Sequence, residues 1–209
     1  MELLNQISEY LQQGDDEKVF ELTGIAIKEG ISPKEILDDG LLAGIGIIGK
    51  QFKNHEIFLP DVLLAAKAMQ AGLNQIKPLL ERDKIPGMGK IVLGTVKGDV
   101  HDIGKNLVGI MLKGAGYDVI DLGKDVASEQ FVETAIIEKA NVVGLSALLT
   151  TTMPVMKEII SMLKEKDPEG NIKTIIGGAP VTKNIADEYG ADAYAFDAAN
   201  AIDQIKLLI

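Results

Sequence analysis

The 209-residue chain has no cysteine and no tryptophan, and only 4% of it is aromatic. Without thiols it cannot form disulfides, thiolate zinc sites, iron–sulfur clusters or cysteine nucleophiles, so any electron it needs must come from another molecule. Histidine is scarce as well, with two residues, His55 and His101. Positive charge is in the minority: 21 Lys and Arg against 31 Asp and Glu leave a net charge of −10. That sign repels phosphate backbones and anionic headgroups, which makes nucleic acid and membranes poor partners. Long apolar runs are missing too. The longest uncharged stretch, 140–156, is 17 residues and contains Asn141, Ser146, three threonines and Pro154, which is short and polar for a span of about 20 residues. The amino terminus, MELLNQISEY, has neither a basic region nor a small-residue cleavage site, so the expected location is the cytoplasm.

What is present is an ordinary globular composition, 46% hydrophobic and 25% charged, with two distinct patterns. Up to residue 83, apolar residues recur at helical spacing: Leu4, Ile7, Leu11; Val19, Leu22, Ala26; Leu37, Leu41, Ile45, Ile48, Phe52. Gly14 with Asp15 and then Gly30 separate these helices, and Ser32-Pro33 supplies an N-cap and a first-turn proline. A fourth helix is predicted from Pro60, its face running Leu59, Leu63, Ala66, Met69, Leu73, Ile76, Leu80, with Pro78 expected to kink or end it. Four helices with short turns make an antiparallel bundle over 1–83.

The segment 84–89, KIPGMG, breaks both periodicities and is the expected linker. From 90 to 209 short apolar runs alternate with helical ones: KIVLGTV, YDVIDL, NVVGLSAL, IKTIIGG and AYAF are the expected strands. Apolar strands separated by helices predict a parallel sheet covered on both faces.

Ligands of such sheets bind beyond the carboxyl ends of the strands, and three of the loops there are unusual. The first is Lys97-Gly98-Asp99-Val100-His101-Asp102-Ile103-Gly104. A carboxylate two residues from a histidine can hold one ring nitrogen and orient the other towards a metal, although Asp99 and Asp102 also suit a helix cap. The second loop is a hydroxyl-rich run, Ser146 to Thr152, and the third is Gly177-Gly178-Ala179-Pro180, nearly bare of side chains. None of these three loops carries the phosphate-binding pattern GxxxxGK. The other histidine, His55, sits in the polar turn KNHE and is expected to face solvent.

The pattern DxHxxG in the first loop, SxL in the second and GG in the third, here Asp99, His101, Gly104, Ser146, Leu148, Gly177 and Gly178, resembles the signature of the cobalamin-binding domain shared by cobalamin-dependent methionine synthase and corrinoid methyltransfer proteins. The segment 44–62, GIGIIGKQFKNHEIFLPDV, is similar to the helical cap of the same proteins. The resemblance implies an all-α four-helix bundle followed by an α/β Rossmann-like (flavodoxin-like) domain with a five-stranded parallel sheet. The cofactor implied is cobalamin or a related corrinoid, cycling between Co(I) and methylated Co(III), with His101 as the lower metal ligand. Asp99 and Thr152 would complete a relay in which methionine synthase has a serine in place of the threonine. Further cofactor contacts would be Val100, Asp102, Ile103, Gly104, Ser146, Leu148, Thr150, Gly177, Gly178 and Ala179. Phe52 and Leu59 match the cap positions that shield the methyl-bearing face.

The expected activity is that of a methyl carrier, incomplete alone. One partner, a substrate:corrinoid methyltransferase, loads a methyl group from methylamine, methanol, betaine or a methoxyaromatic donor. A second passes it to tetrahydrofolate or coenzyme M, and a reductive activase restores the cofactor. The alternatives are the cobalamin-binding subunit of an adenosylcobalamin mutase, which has no need of the cap, and a cobalamin-dependent regulatory protein, disfavoured by the lack of a basic helix.

Overall fold

In the computed structural model residues 2–83 and 87–209 are described, apart from the Glu81 side chain. Residues 84–86 of the expected linker lie outside that set. Two compact units result: Met1–Met88 with Ile110–Gly116, and Gly89–Gly109 with Tyr117–Ile209.

The first unit is helical. Helices α1 (Glu2–Gln12) and α2 (Asp16–Lys28) are followed by one continuous rod made of α3 (Pro33–Glu35), a π-helical turn (Ile36–Leu42) and α4 (Ala43–Lys53), and then by α5 (Leu59–Arg82). The predicted start at Ser32-Pro33 is a full capping box: Glu35 N donates to Ser32 Oγ at 3.2 Å and Ser32 N donates to Glu35 Oε2 at 3.1 Å. The π turn was not visible in the spacing. Its wider winding brings Ile36 and Leu41, five residues apart and both fully buried, onto one side of the rod.

Helix α5 departs from expectation in two ways. It runs through Pro78 to Arg82, because a proline this near the carboxyl end removes a single ladder bond from a helix anchored upstream. Of its predicted face Met69 and Ile76 are buried, but they share the buried stripe with Val62, Ala65 and Gly72 rather than with Leu59, Leu63 and Leu73. The reason is close approach: a Cβ on Gly72 would press on Leu41 and lie 3.2 Å from Val19 Cγ1. Small residues therefore mark the packed face, and Leu59 and Leu63 remain exposed.

In the second unit, strands β1 (Lys90–Thr95), β2 (Asp118–Asp121), β3 (Val142–Ser146), β4 (Lys173–Gly177) and β5 (Ala193–Ala195) form one parallel sheet in the order β2-β1-β3-β4-β5. Helices α6 (Ile103–Gly114), whose residues from Ile110 on are counted with the first unit, α7 (Ser128–Ile137), α8 (Met153–Lys166), α9 (Lys183–Tyr189) and α10 (Ala198–Leu208) alternate with them along the chain. All five predicted strands form. β2, at one edge, has an acidic residue at each end, and both Asp118 and Asp121 are exposed.

The core between the sheet, α7 and α8 centres on Phe131, Val143, Met156, Ile160 and Ile176, none more than 1% exposed. Phe131 also fills the space over Gly94, where any Cβ would collide with its ring. Phe131→Ala leaves that space empty and should lower unfolding stability by about 3–5 kcal/mol, read from urea denaturation followed by circular dichroism.

Candidate functional site

Sheet order places the reversal of direction between β1 and β3, the crevice where such sheets hold ligands. Register then aligns the strand ends in one row: Thr95 pairs with Ser146, Ser146 with Gly177 and Gly177 with Ala195. The three unusual loops leave from this row, so motif elements well separated along the chain become neighbours.

At its centre is Asp99, fully buried. Its Oδ2 accepts from Leu148 N at 2.8 Å, Leu149 N at 3.0 Å and Thr152 Oγ1 at 2.9 Å. Its Oδ1 accepts from His101 N at 3.1 Å and lies 2.8 Å from His101 Nδ1. Burial alone would push this carboxyl up, but the bonds from the His101 ring and from the His101, Leu148 and Leu149 amides outweigh it and hold Asp99 well below the usual carboxylate range. The loops after β1 and β3 are thereby tied through one side chain.

An ionised Asp99 accepts only, so His101 carries its proton on Nδ1 and Nε2 keeps its lone pair. The ring is 47% exposed, and among the described residues nothing hydrogen-bonds Nε2. Thr152 Oγ1 is equidistant, at 2.9 Å, from Asp99 Oδ2 and the Leu149 carbonyl, so its one proton serves either.

The other expected residues are spread around this network. Val100, Ile103 and Leu148 are exposed at 58%, 84% and 43%, Thr150 and Ala179 are exposed, and Asp102 and Ser146 are half-buried. A Cβ on Gly104 would meet nothing within 4 Å, which is open space beside the histidine. The paired glycines have a reason of their own. At φ +130° a Cβ on Gly178 would overlap the Ala147 carbonyl oxygen, and one on Gly177 would lie 2.9 Å from Ala195 O. In the helical unit, Phe52 is half-buried at the end of α4 and Leu59 opens α5, 38% exposed. His55 is exposed, as expected.

Several residues escaped the sequence reading. Thr95 is fully buried and donates to the His101 carbonyl at 3.1 Å; a lone hydroxyl ending an apolar strand was its signal. Leu149 acts through its amide, for which side-chain patterns give no signal. Phe196, just after β5, is 66% exposed at the same edge.

A protein-family model described as a B12 binding domain matches residues 89–206, and a second model of the same description matches 3–77. The chain belongs to the B12-binding family. Trimethylamine corrinoid protein 2 of Methanosarcina acetivorans is 41% identical, with 100% of this chain and 97% of the relative covered. Dimethylamine corrinoid protein 1 of the same organism is 46% identical over 87% of this chain and 86% of its own. Among solved structures, a chain of the methanol:cobalamin methyltransferase complex of Methanosarcina barkeri superposes with a TM-score of 0.84 at 34% identity, covering 99% of this chain and 80% of that one.

As a member of this corrinoid-binding family the protein takes cobalamin or a related corrinoid, and the residues present fit it. A half-exposed imidazole with Nε2 unpartnered could offer one nitrogen to the group, with open space at Gly104 and exposed apolar side chains at Val100, Ile103 and Leu148. Among the described residues there is no cluster of three or more side chains that could hold a metal ion, and no helix there is long and apolar enough to cross a membrane.

Because Asp99 is held below its unfolded value of about 3.9, its contribution to stability is complete above that pH and is lost as pH falls below it. The stability gap between the wild type and Asp99→Ala should therefore narrow as pH falls below about 4, read from denaturation midpoints between about pH 5 and 3.

Proposed function

We propose that the protein is a methyl carrier serving two partner methyltransferases. One loads a methyl group from a methylated donor and the other delivers it to an acceptor such as tetrahydrofolate or coenzyme M. Relatives named for trimethylamine and dimethylamine favour methylamines as the donor class, with methanol next. The observation that carries the reading is the His101–Asp99 pair, which leaves Nε2 as the imidazole's available ligand atom at the strand-end row.

When bound, the corrinoid supplies a cobalt centre that accepts and gives up a methyl group. His101 would be its protein ligand through Nε2. Asp99 would fix the ring by accepting a hydrogen bond from Nδ1, leaving Nε2 free to bind. Whenever Nε2 is free of the metal it could accept a proton, and Asp99 would stabilise the resulting imidazolium. The hydroxyl of Thr152 adjusts by donating to Asp99 or to the Leu149 carbonyl. Ser146, Thr150, Gly177, Gly178 and Ala179 would receive the cofactor's nucleotide tail, and Phe52 and Leu59 would shield the methyl-bearing face from water. Without thiols of its own, the protein would depend on a separate reductive activase.

The test is reconstitution with hydroxocobalamin. The wild type should retain corrinoid through gel filtration with the absorbance of an axial nitrogen, and absence of retained corrinoid would sink the reading. His101→Ala should keep the corrinoid and lose that absorbance; loss in His55→Ala instead would transfer the ligand to the helical unit. Asp99→Asn has one carboxamide oxygen for two sets of donors. With that oxygen on Leu148 and Leu149, its NH2 meets His101 Nδ1 and drives the ring proton onto Nε2. Axial ligation should weaken by about 10- to 100-fold, read by titration at neutral pH.

A further inference from the structure

Among the described residues two charged side chains are buried, Asp99 and Lys105. The first is in the network above. Lys105 lies in the first turn of α6, where a cation opposes the helix dipole, and its side chain is 1% exposed. Its Nζ sits 2.6 Å from both carboxylate oxygens of Asp121 at the end of β2. A buried ion pair adds little net stability over an apolar pair of similar size, so its value must lie in where it holds the chain.

The turn that begins at Asp121 makes a second grip. Asp125 accepts from Gly98 N at 2.8 Å and pairs with Lys97 Nζ at 3.2 Å, while its own amide donates to the Asp99 carbonyl at 2.9 Å. Asp125 does so at φ +55°, in the left-handed region that a non-glycine residue enters at a cost. Between the grips the turn continues the ladder: Thr95 N donates to Gly123 O at 2.9 Å and Val126 N to Thr95 O at 3.1 Å.

We infer that the turn Asp121–Asp125 is a positioning bracket for the His101 loop, with Asp125 holding it just ahead of Asp99 and Asp121 holding it through Lys105 just after Gly104. The inference rests on His101 being the ligand. Asp99 fixes the rotation of the ring about its bond to the buried carboxylate. The bracket fixes the backbone from which that ring projects. Neither acidic residue of the turn touches His101, so both act through the loop.

The decisive variant is Asp125→Gly in the full chain. Glycine enters the left-handed region without strain, so the substitution removes the carboxylate and leaves the turn its conformation. In the corrinoid-free protein, amide hydrogen exchange over 97–105 should rise roughly 10-fold, while the strand amides of β3 and β4 and the melting temperature stay near wild type. After reconstitution the corrinoid should be retained with a smaller fraction showing axial nitrogen. Asp125→Asn keeps an acceptor for Gly98 N and tolerates the left-handed region, so it should restore both readouts. Lys105→Met, of similar length and without charge, should loosen the same segment from its other end.

Exchange over 97–105 unchanged in Asp125→Gly, or raised equally across the sheet, would overturn the bracket. Should Lys105→Met fail to fold, Asp125→Gly decides alone. A wild type that binds no corrinoid would defeat the methyl-carrier reading instead, and the corrinoid-free exchange would still decide whether the bracket exists.

Discussion

Removing a carboxylate from water costs several kcal/mol unless donors take the place of the solvent, and at Asp99 they come from three places in the chain. Leu148 and Leu149 give amides from the loop after β3, Thr152 gives a hydroxyl from the start of α8, and His101 gives an amide and a ring nitrogen from the carboxylate's own loop. The tautomer of His101, the approach of the two loops and the ionisation of the acid are therefore one condition seen three ways. If the acid were protonated, its oxygens would no longer be purely acceptors, and the ring would lose the partner that keeps Nε2 bare.

The sheet makes this condition attainable. Parallel strands in register bring Thr95, Ser146, Gly177 and Ala195 to one line, and α7 and α8 back the sheet with a core of Phe131, Met156 and Ile160. A loop-borne imidazole is only as well placed as its loop, and this loop is held by β1 itself, through Thr95 on the His101 carbonyl, and by the turn after β2. The helical unit is built on different terms. Small residues such as Gly72 and Ala65 allow its helices to approach, and large ones, Phe58, Leu63 and Leu64, are left exposed.

Strand and helix positions in the second unit were legible because period and punctuation agree there: each apolar run ends at a polar or glycine-bearing loop. Asp99 and His101 were legible through spacing, since two residues apart in a loop is within reach of one hydrogen bond. The packed stripe of α5 is legible at Met69 and Ile76 but not at Ala65 and Gly72, because hydrophobicity weights size, whereas close helix packing rewards its absence. The π turn at 36–42 escaped for a related reason, as a fixed helical period cannot register a local widening. Contributions made through backbone amides, such as that of Leu149, and through pairing across distant segments, such as Lys105 with Asp121, have no short-range imprint at all.

The paired glycines separate two kinds of information that the sequence pattern merges. Gly178 faces the Ala147 carbonyl so closely that no other residue fits, whatever occupies the crevice, and Gly177 is almost as constrained by Ala195. Their presence reports that β3, β4 and β5 pack in this way. Asp99 and His101 meet no such steric demand, since a different loop could close the same turn. A chain that kept the glycines but lost the acid and the imidazole would still build this sheet. It would be the same vessel without its anchor, and only the acid–imidazole half of the pattern would tell the two apart.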